Sequence, residues 1–233
     1  MVCAVALAGL EAASPRENIF GLADVPALSQ ALAGKLILID PGHGGPDPGI
    51  TINGLHEKTL VLQISFRLKG LLQKAGFRVL MTRESDKDLS EAEAGTKLGK
   101  RKNNDLQVRA EMPKKVGADI FLSVHINGIG SSRWDGTQVF FHPDGNPGGR
   151  VFAKVLQEEL LKVSHSKRLD RPAELNQLIL HYAPCPAATA ELGFLSNPTE
   201  RRLLQDPVYQ AKLAWGLYSG IVRFMLESSQ DGK

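Results

Sequence analysis

Two apolar runs that each end on a histidine constrain this chain more than any other feature. Leu36-Ile37-Leu38-Ile39-Asp40 leads into Pro41-Gly42-His43-Gly44-Gly45, and Ala118 to His125 (ADIFLSVH) closes in a similar way. Short apolar runs bounded by Gly and Pro read as buried strands. Between them, Glu57 to Ala75 carries Leu60, Ile64, Leu68, Leu71, Leu72 and Ala75 at helical period, and Gly76 is placed to cap that helix. Phe77 to Thr82 then reads as a second strand. A strand, a helix and a strand of these lengths imply a right-handed parallel crossover. In an open α/β sheet the carboxyl ends of the strands share one edge, and ligands bind there. Taken alone, His43 in its Gly-rich turn is as consistent with an ordinary loop as with a ligand.

The rest of the chain extends the pattern. Gly136 to His142, Gln177 to His181 and Ala187 to Leu192 read as further strands, and Thr51 to His56 as a loop turning at Asn53-Gly54. Glu84 to Asn104 is charged and lacks period, so it reads as a long loop whose basic end, Lys97 to Lys102, is solvated. Asp105 is expected to cap a helix through Lys115, with Pro113 shortening or kinking it. Asn146-Pro147, Asn197-Pro198 and Asp206-Pro207 each open a helix, with Pro at the first helical position. The last of these helices is expected to reach about Leu226, with Ala211, Ala214, Trp215, Tyr218, Ile221 and Met225 on one stripe. The expected fold is a three-layer α/β/α sandwich around a mixed, mostly parallel sheet of about six strands.

At 233 residues, 42% hydrophobic and 23% charged, the chain suits one large globular domain. A net charge of +3 is too weak to indicate nucleic acid, and no nucleic-acid motif appears. Cys3 and Cys185 form neither a disulfide framework nor a CxxC site. Met1 to Leu10 is nearly all apolar and is followed by a polar break, so residues 1–34 read as an export remnant (a signal or membrane anchor) and linker, against a short surface helix. Residues 35–228 are expected to form the catalytic domain, and 229–233 a tail.

Four residues share one character. His43 follows the first strand, His125 ends the third, Glu191 lies near the end of the last, and Glu57 opens the first helix, where the dipole favours a carboxylate. Two His and one Glu at a common sheet edge would make a catalytic zinc site with an open fourth position, and the other Glu could act as general base. His56 beside Glu57 competes with it as a ligand. His142 and His181 read as structural, His165 as solvated, and Asn127 as either a substrate-orienting or a plain turn residue. Arg83 and Arg109 suit structural ion pairs better than a substrate carboxylate. Cys185, between Pro184 and Pro186, reads as unreactive.

Asp40-Pro41-Gly42-His43-Gly44-Gly45, Glu57-Lys58, Thr82-Arg83, Ser123-Val124-His125-Ile126-Asn127 and Glu191-Leu192-Gly193-Phe194-Leu195-Ser196-Asn197 stand in this order. Together they resemble the zinc-dependent N-acetylmuramoyl-L-alanine amidases of the amidase 3 family. Thr82 to Leu89, Gly95-Thr96-Lys97 and Trp134-Asp135-Gly136 further resemble the germination-specific members. The resemblance implies Zn2+ as cofactor, His43, Glu57 and His125 as its ligands, and Glu191 as the catalytic residue. It implies hydrolysis of the amide between N-acetylmuramic acid and the L-Ala of peptidoglycan stem peptides. In the germination role this bares cortex muramic acid, which a separate deacetylase converts to the δ-lactam. Alternatives are a general wall-lytic amidase, a non-hydrolytic zinc-holding peptidoglycan scaffold, and a zinc peptidase of related architecture. The expected location is outside the cytoplasm, in the wall or the spore cortex compartment. The sequence shows no wall-binding repeat, so targeting is expected from the N-terminal segment, a partner or the catalytic groove itself, and activation by an accessory protein is a further expectation. Met112-Pro113 departs from the family pattern, which continues its helix into an Ala-Asn pair.

Overall fold

The computed structural model describes residues 32–230 apart from 92, 94, 129 and 166–168. The expected export segment therefore lies outside the described residues. Among the described residues, no helix is long and apolar enough to cross a membrane.

Strand β1 (Leu36–Pro41) is buried along its whole length, as its unbroken apolar run requires. The chain then forms a small hairpin, β2 (Thr51–Ile52) and β3 (Leu55–His56), turning at Asn53 and Gly54, both with positive φ. Helix α1 (Glu57–Lys74) buries Leu60, Val61, Ile64, Leu68 and Leu72, one stripe at helical period. Gly76, at φ 91°, ends it and turns the chain into β4 (Arg78–Met81). Helix α2 (Leu98–Val116) leads to β5 (Ile120–Asn127), and β6 (Gln138–Phe141) to helix α3 (Gly148–Val163). After these come β7 (Ala173–Glu174), the single turn α4 (Leu178–His181), β8 (Ala187–Phe194), α5 (Pro198–Gln205) and α6 (Pro207–Gln230).

The main sheet has six strands in the order β4-β1-β5-β8-β6-β7. All neighbours are parallel except β6 and β8, which are antiparallel. One face carries Ile37, Ile39, Leu122, Val124, Ala188 and Ala190 against α1, α3 and α6. The other carries Leu38, Phe121 and Ala187 against Ala110 of α2 and Ile179 and Leu180 of α4. The fold is thus the expected mixed sheet between helical layers.

Five local expectations are corrected. Gln177 to His181 is not a strand: Leu180 and His181 both donate their amides to the Gln177 carbonyl, closing a helical turn. Adjacent Ile179 and Leu180 are both buried in one cluster, which a strand with alternating faces cannot arrange. The sixth strand is instead the two-residue β7, which pairs with Phe140 and Phe141. Helix α2 begins at Leu98, so Lys100 to Asn104 are helical. Asp105 is not its cap but a buried mid-helix residue that accepts from Arg109 Nε at 2.7 Å. Pro113 does not shorten α2, which runs on to Val116 and stops at Gly117 with φ 67°. Helix α6 turns inward on Leu213, Ala214, Leu217, Ile221 and Phe224, whereas Trp215 is 53% exposed and Ala211 faces solvent.

Asn197 and Asp206 cap their helices as expected. Asn197 accepts from the amides of Thr199 and Glu200, and Asp206 from Val208. Each offsets helix-start N–H groups that have no partner within the helix.

Candidate active site

Strand register carries the site. Asp40 of β1 stands beside Ser123 of β5, which stands beside Thr189 of β8. One step towards the carboxyl edge, His125 is opposite Glu191, which in turn is opposite Gln138 of β6. Period-two alternation puts these rows on the α2 face, whereas Val124 and Ala190 enter the opposite core. Gly42 flanks His125 on its other side. A Cβ at Gly42 would lie 2.2–2.7 Å from three atoms of the His125 ring, so only glycine leaves room for the imidazole.

Glu57 is the junction. Helix α1 starts on it, and the residue is 2% exposed. Its Oε1 accepts from the Ile126 amide at 3.0 Å and lies 3.0 Å from His125 Nδ1. Its Oε2 accepts from the Ile50 amide at 2.9 Å and lies 3.1 Å from His43 Nε2. The two imidazoles meet edge to face with centroids 4.9 Å apart. Potential ligand atoms of His43, Glu57 and His125 all lie within 4.8 Å of one another. Two imidazole nitrogens and a carboxylate are a donor set suited to a borderline cation. Gly49 makes room here too: with φ +67°, its Cβ would fall 2.5 Å from Glu57 Oε2.

Electrostatics follow from this packing. Burial alone would raise the Glu57 carboxyl, but the two histidines reverse that and hold it well below the usual range. Burial would depress His43, but hydrogen bonds to Asp47 and Glu57 raise it to about 9. At neutral pH His43 thus holds a proton that a cation at Nε2 would displace. Glu191 is different. Burial, opposed by His125 and reinforced by Glu57, pushes its carboxyl up to about 7. Its Oε2 is buried and has no hydrogen-bond partner. A buried, unpaired carboxylate oxygen is unfavourable for stability alone and marks a group kept for chemistry.

The loop bearing His43 is held by two buried arginines. Arg83 donates to the carbonyls of Pro41, Gly42 and Lys58, and Arg109 to those of Pro41 and His43. Arg109 also pairs with Asp40, which accepts from Thr82 at 2.6 Å and Ser123 at 2.7 Å. These contacts offset the left-handed backbone of His43, at φ 61°, which is unfavourable for a non-glycine residue. Both arginines are therefore structural, as their sequence setting suggested.

His56 hydrogen-bonds Thr51 and takes no part in the cluster. His142 bonds Asn176 beside His181, at the opposite end of the sheet from Glu191. Asn127 accepts from the next amide, Gly128, as a turn residue does. Burial pushes the Cys185 thiol up to about 11, so it is no nucleophile. A cavity of about 400 Å³ lined by Phe141, Arg150, Lys154 and Arg171 lies elsewhere, and no residue of the cluster borders it. Asp47 was not singled out from the sequence, and Lys102, expected to be solvated, is instead ion-paired. Asp47 accepts from His43 Nδ1 at 2.9 Å, and Lys102 bonds Asp47 at 2.6 Å. An acid four residues after a ligand-type histidine, in Gly-Pro-Asp-Pro-Gly, was the available signal for the first.

Residues 37–223 match the family model described as N-acetylmuramoyl-L-alanine amidase. The chain belongs to that family. It is 40% identical over 200 residues to the germination-specific N-acetylmuramoyl-L-alanine amidase of Bacillus subtilis, covering 85% of this chain and 83% of that one. It is 31% identical to the sporulation-specific amidase of the same organism, over 79% of this chain and 66% of that one. Among solved structures, the CwlD amidase from Clostridioides difficile, in complex with the GerS lipoprotein, superposes with a TM-score of 0.78 at 33% identity. That match covers 83% of this chain and 100% of the other. As an amidase of this family, the chain is a hydrolase.

Proposed function

We propose that His43, Glu57 and His125 bind Zn2+, that Glu191 moves the proton, and that the enzyme cleaves stem peptides from the muramic acid of spore cortex peptidoglycan. The observation that carries this reading is the pairing of a three-donor cluster within 4.8 Å with a buried, unpartnered Glu191 oxygen beside it in register. A zinc ion held by these donors would supply Lewis acidity towards an amide carbonyl and would lower the pKa of a bound water to about 7. Glu191 accepts the proton of the attacking water as a new C–O bond forms at the lactyl carbonyl carbon. It then donates that proton to the L-Ala nitrogen as the C–N bond breaks. A carboxyl whose ionised form is disfavoured by burial is suited to both transfers. Asp47 holds His43 by its other nitrogen, leaving Nε2 facing the cluster.

The germination role rests on the likeness to the B. subtilis enzyme. With it come an exported location in the cortex compartment and an accessory protein, as the C. difficile amidase was solved with a lipoprotein. Mass spectrometry of products from cortex and vegetative sacculi tests substrate and bond together. Free stem peptides beginning with L-Ala from cortex are expected. Cleavage between amino acids would make the chain a peptidase, equal digestion of vegetative wall a general lytic enzyme, and zinc binding without products a scaffold.

A further inference from the structure

The amino-terminal turns of α2 reach the metal cluster through one ion pair. Lys102 Nζ lies 2.6 Å from Asp47 Oδ1, and Asp47 Oδ2 lies 2.9 Å from His43 Nδ1. Asp47 Oδ1 has one other partner, the Gly49 amide at 3.2 Å. Lys102 is one turn before the buried Asp105–Arg109 pair that fixes α2 to β1. Arg101, its neighbour, holds Asp88 through two guanidinium nitrogens. The segment around Asp88 in turn packs on the His43 loop: Asp86 accepts from the Gly45 amide, and a Cβ at Gly44 would meet the Lys87 carbonyl at 2.2 Å. Asp47, 17% exposed, is thus fixed on both oxygens by groups from different parts of the chain.

We infer that Lys102 is a positioning residue for the metal site: it fixes the Asp47 carboxylate, which fixes the His43 ring and tautomer, and so sets metal affinity from α2. This inference rests on His43 being a zinc ligand. Without Lys102, one Asp47 oxygen keeps only the long Gly49 contact. The carboxylate can then rotate, and the His43 ring loses its fixed direction. Outer partners of this kind change metal affinity by about 10–100-fold when they bond the ligand directly, and a partner one bond further out changes it less.

The test uses the full chain and Zn2+ itself, with a chelating competitor to read the dissociation constant. Asp47→Asn should weaken zinc about 10–100-fold, and Lys102→Met about 3–10-fold. Lys102→Arg should restore most of the loss. The double variant should bind no worse than Asp47→Asn, because Lys102 acts only through Asp47. In the Co2+-substituted protein, Lys102→Met should shift the visible absorption bands, and the melting temperature of metal-free protein should stay unchanged. Wild-type zinc affinity in Lys102→Met, or losses that add in the double variant, would overturn the inference. His125→Ala separates the two levels. If it binds zinc as tightly as wild type, the ligand set itself is wrong. If it loses zinc while Lys102→Met binds normally, only the positioning role of Lys102 fails.

Discussion

At the scale of the residue, the site depends on one acid and several absent side chains. Glu191 has its folded-state pKa raised from 4.5 to about 7, so it stays protonated in the native state where the unfolded chain has lost the proton. Its contribution to stability therefore falls as pH rises from about 4.5 to about 7. Glu191→Gln removes that penalty. The metal-free variant should be more stable than wild type at pH 8 by roughly 3 kcal/mol and little different at pH 4.5, read by denaturant melts. The same variant should keep zinc and lose turnover by about 100-fold or more. Unchanged turnover would exclude Glu191 as the base. Gly42→Ala is predicted to displace the His125 ring, which would otherwise lie within 2.7 Å of the new carbon, and to weaken zinc with it. Chelator competition on the folded variant gives the answer.

At the scale of the element, identical substitutions have opposite signs according to packing. Gly70 in α1 has nothing within 4 Å of its ideal Cβ, so Gly70→Ala should stabilise the protein by about 0.5–1 kcal/mol through helix propensity. Gly216 and Gly220 lie one turn apart on α6, where it crosses α3. A Cβ at Gly220 would lie 2.8 Å from Leu156 Cδ2 and 3.0 Å from its Cα. Gly220→Ala should therefore destabilise, by about 1–3 kcal/mol. Helix α2 is anchored differently, by charge. Burial would raise Asp40, but Arg109, Thr82 and Ser123 overcome it and leave the carboxyl below its usual value. That stability is present above the unfolded pKa of about 3.9 and is lost as pH falls through the lower folded value. Asp40→Asn leaves the buried Arg109 without one of its two carboxylates, a loss of about 3–5 kcal/mol at pH 7. The difference from wild type should shrink in strong acid, which melts across pH would measure.

At the scale of the whole molecule, the cluster ties the start of α1 and the loop after β1 to the paired strands β1 and β5. His43 is in the loop after β1, Glu57 starts α1, and His125 is on β5. A ligand that binds only the folded state stabilises it by mass action, about 4 kcal/mol at a thousandfold excess over its dissociation constant. Removal of zinc by a chelator should therefore lower the melting temperature as well as abolish hydrolysis. His125→Ala should show the lower melting point without any response to chelator. Re-addition of Zn2+ to the wild type should restore both properties.

The sequence by itself determined the strand–helix alternation and the run of buried strands, and it offered His43, Glu57, His125 and Glu191 as candidates. Hydrophobic period is a local property, and a chain that buries one face must display it in its own residues. His43 and Glu57 were legible because they stand in a strand-end turn and at a helix start, whereas His125 and Glu191, expected at strand ends, lie inside β5 and β8. The structure alone decided the rest. Helix α2 starts at Leu98, and its inner face carries Asp105 and Arg109, which no apolar pattern announces. The turn α4 replaced a strand because Ile179 and Leu180 share one buried cluster. Asp47 and Lys102 meet across a long stretch of chain, and the Glu191 carboxyl is pushed up to about 7 only through burial and the nearby Glu57, against the opposing charge of His125. Register, burial and the field of neighbouring charges exist only once distant segments are packed together, so the chemistry of the site belongs to the tertiary structure, although its candidate residues could be proposed from the sequence.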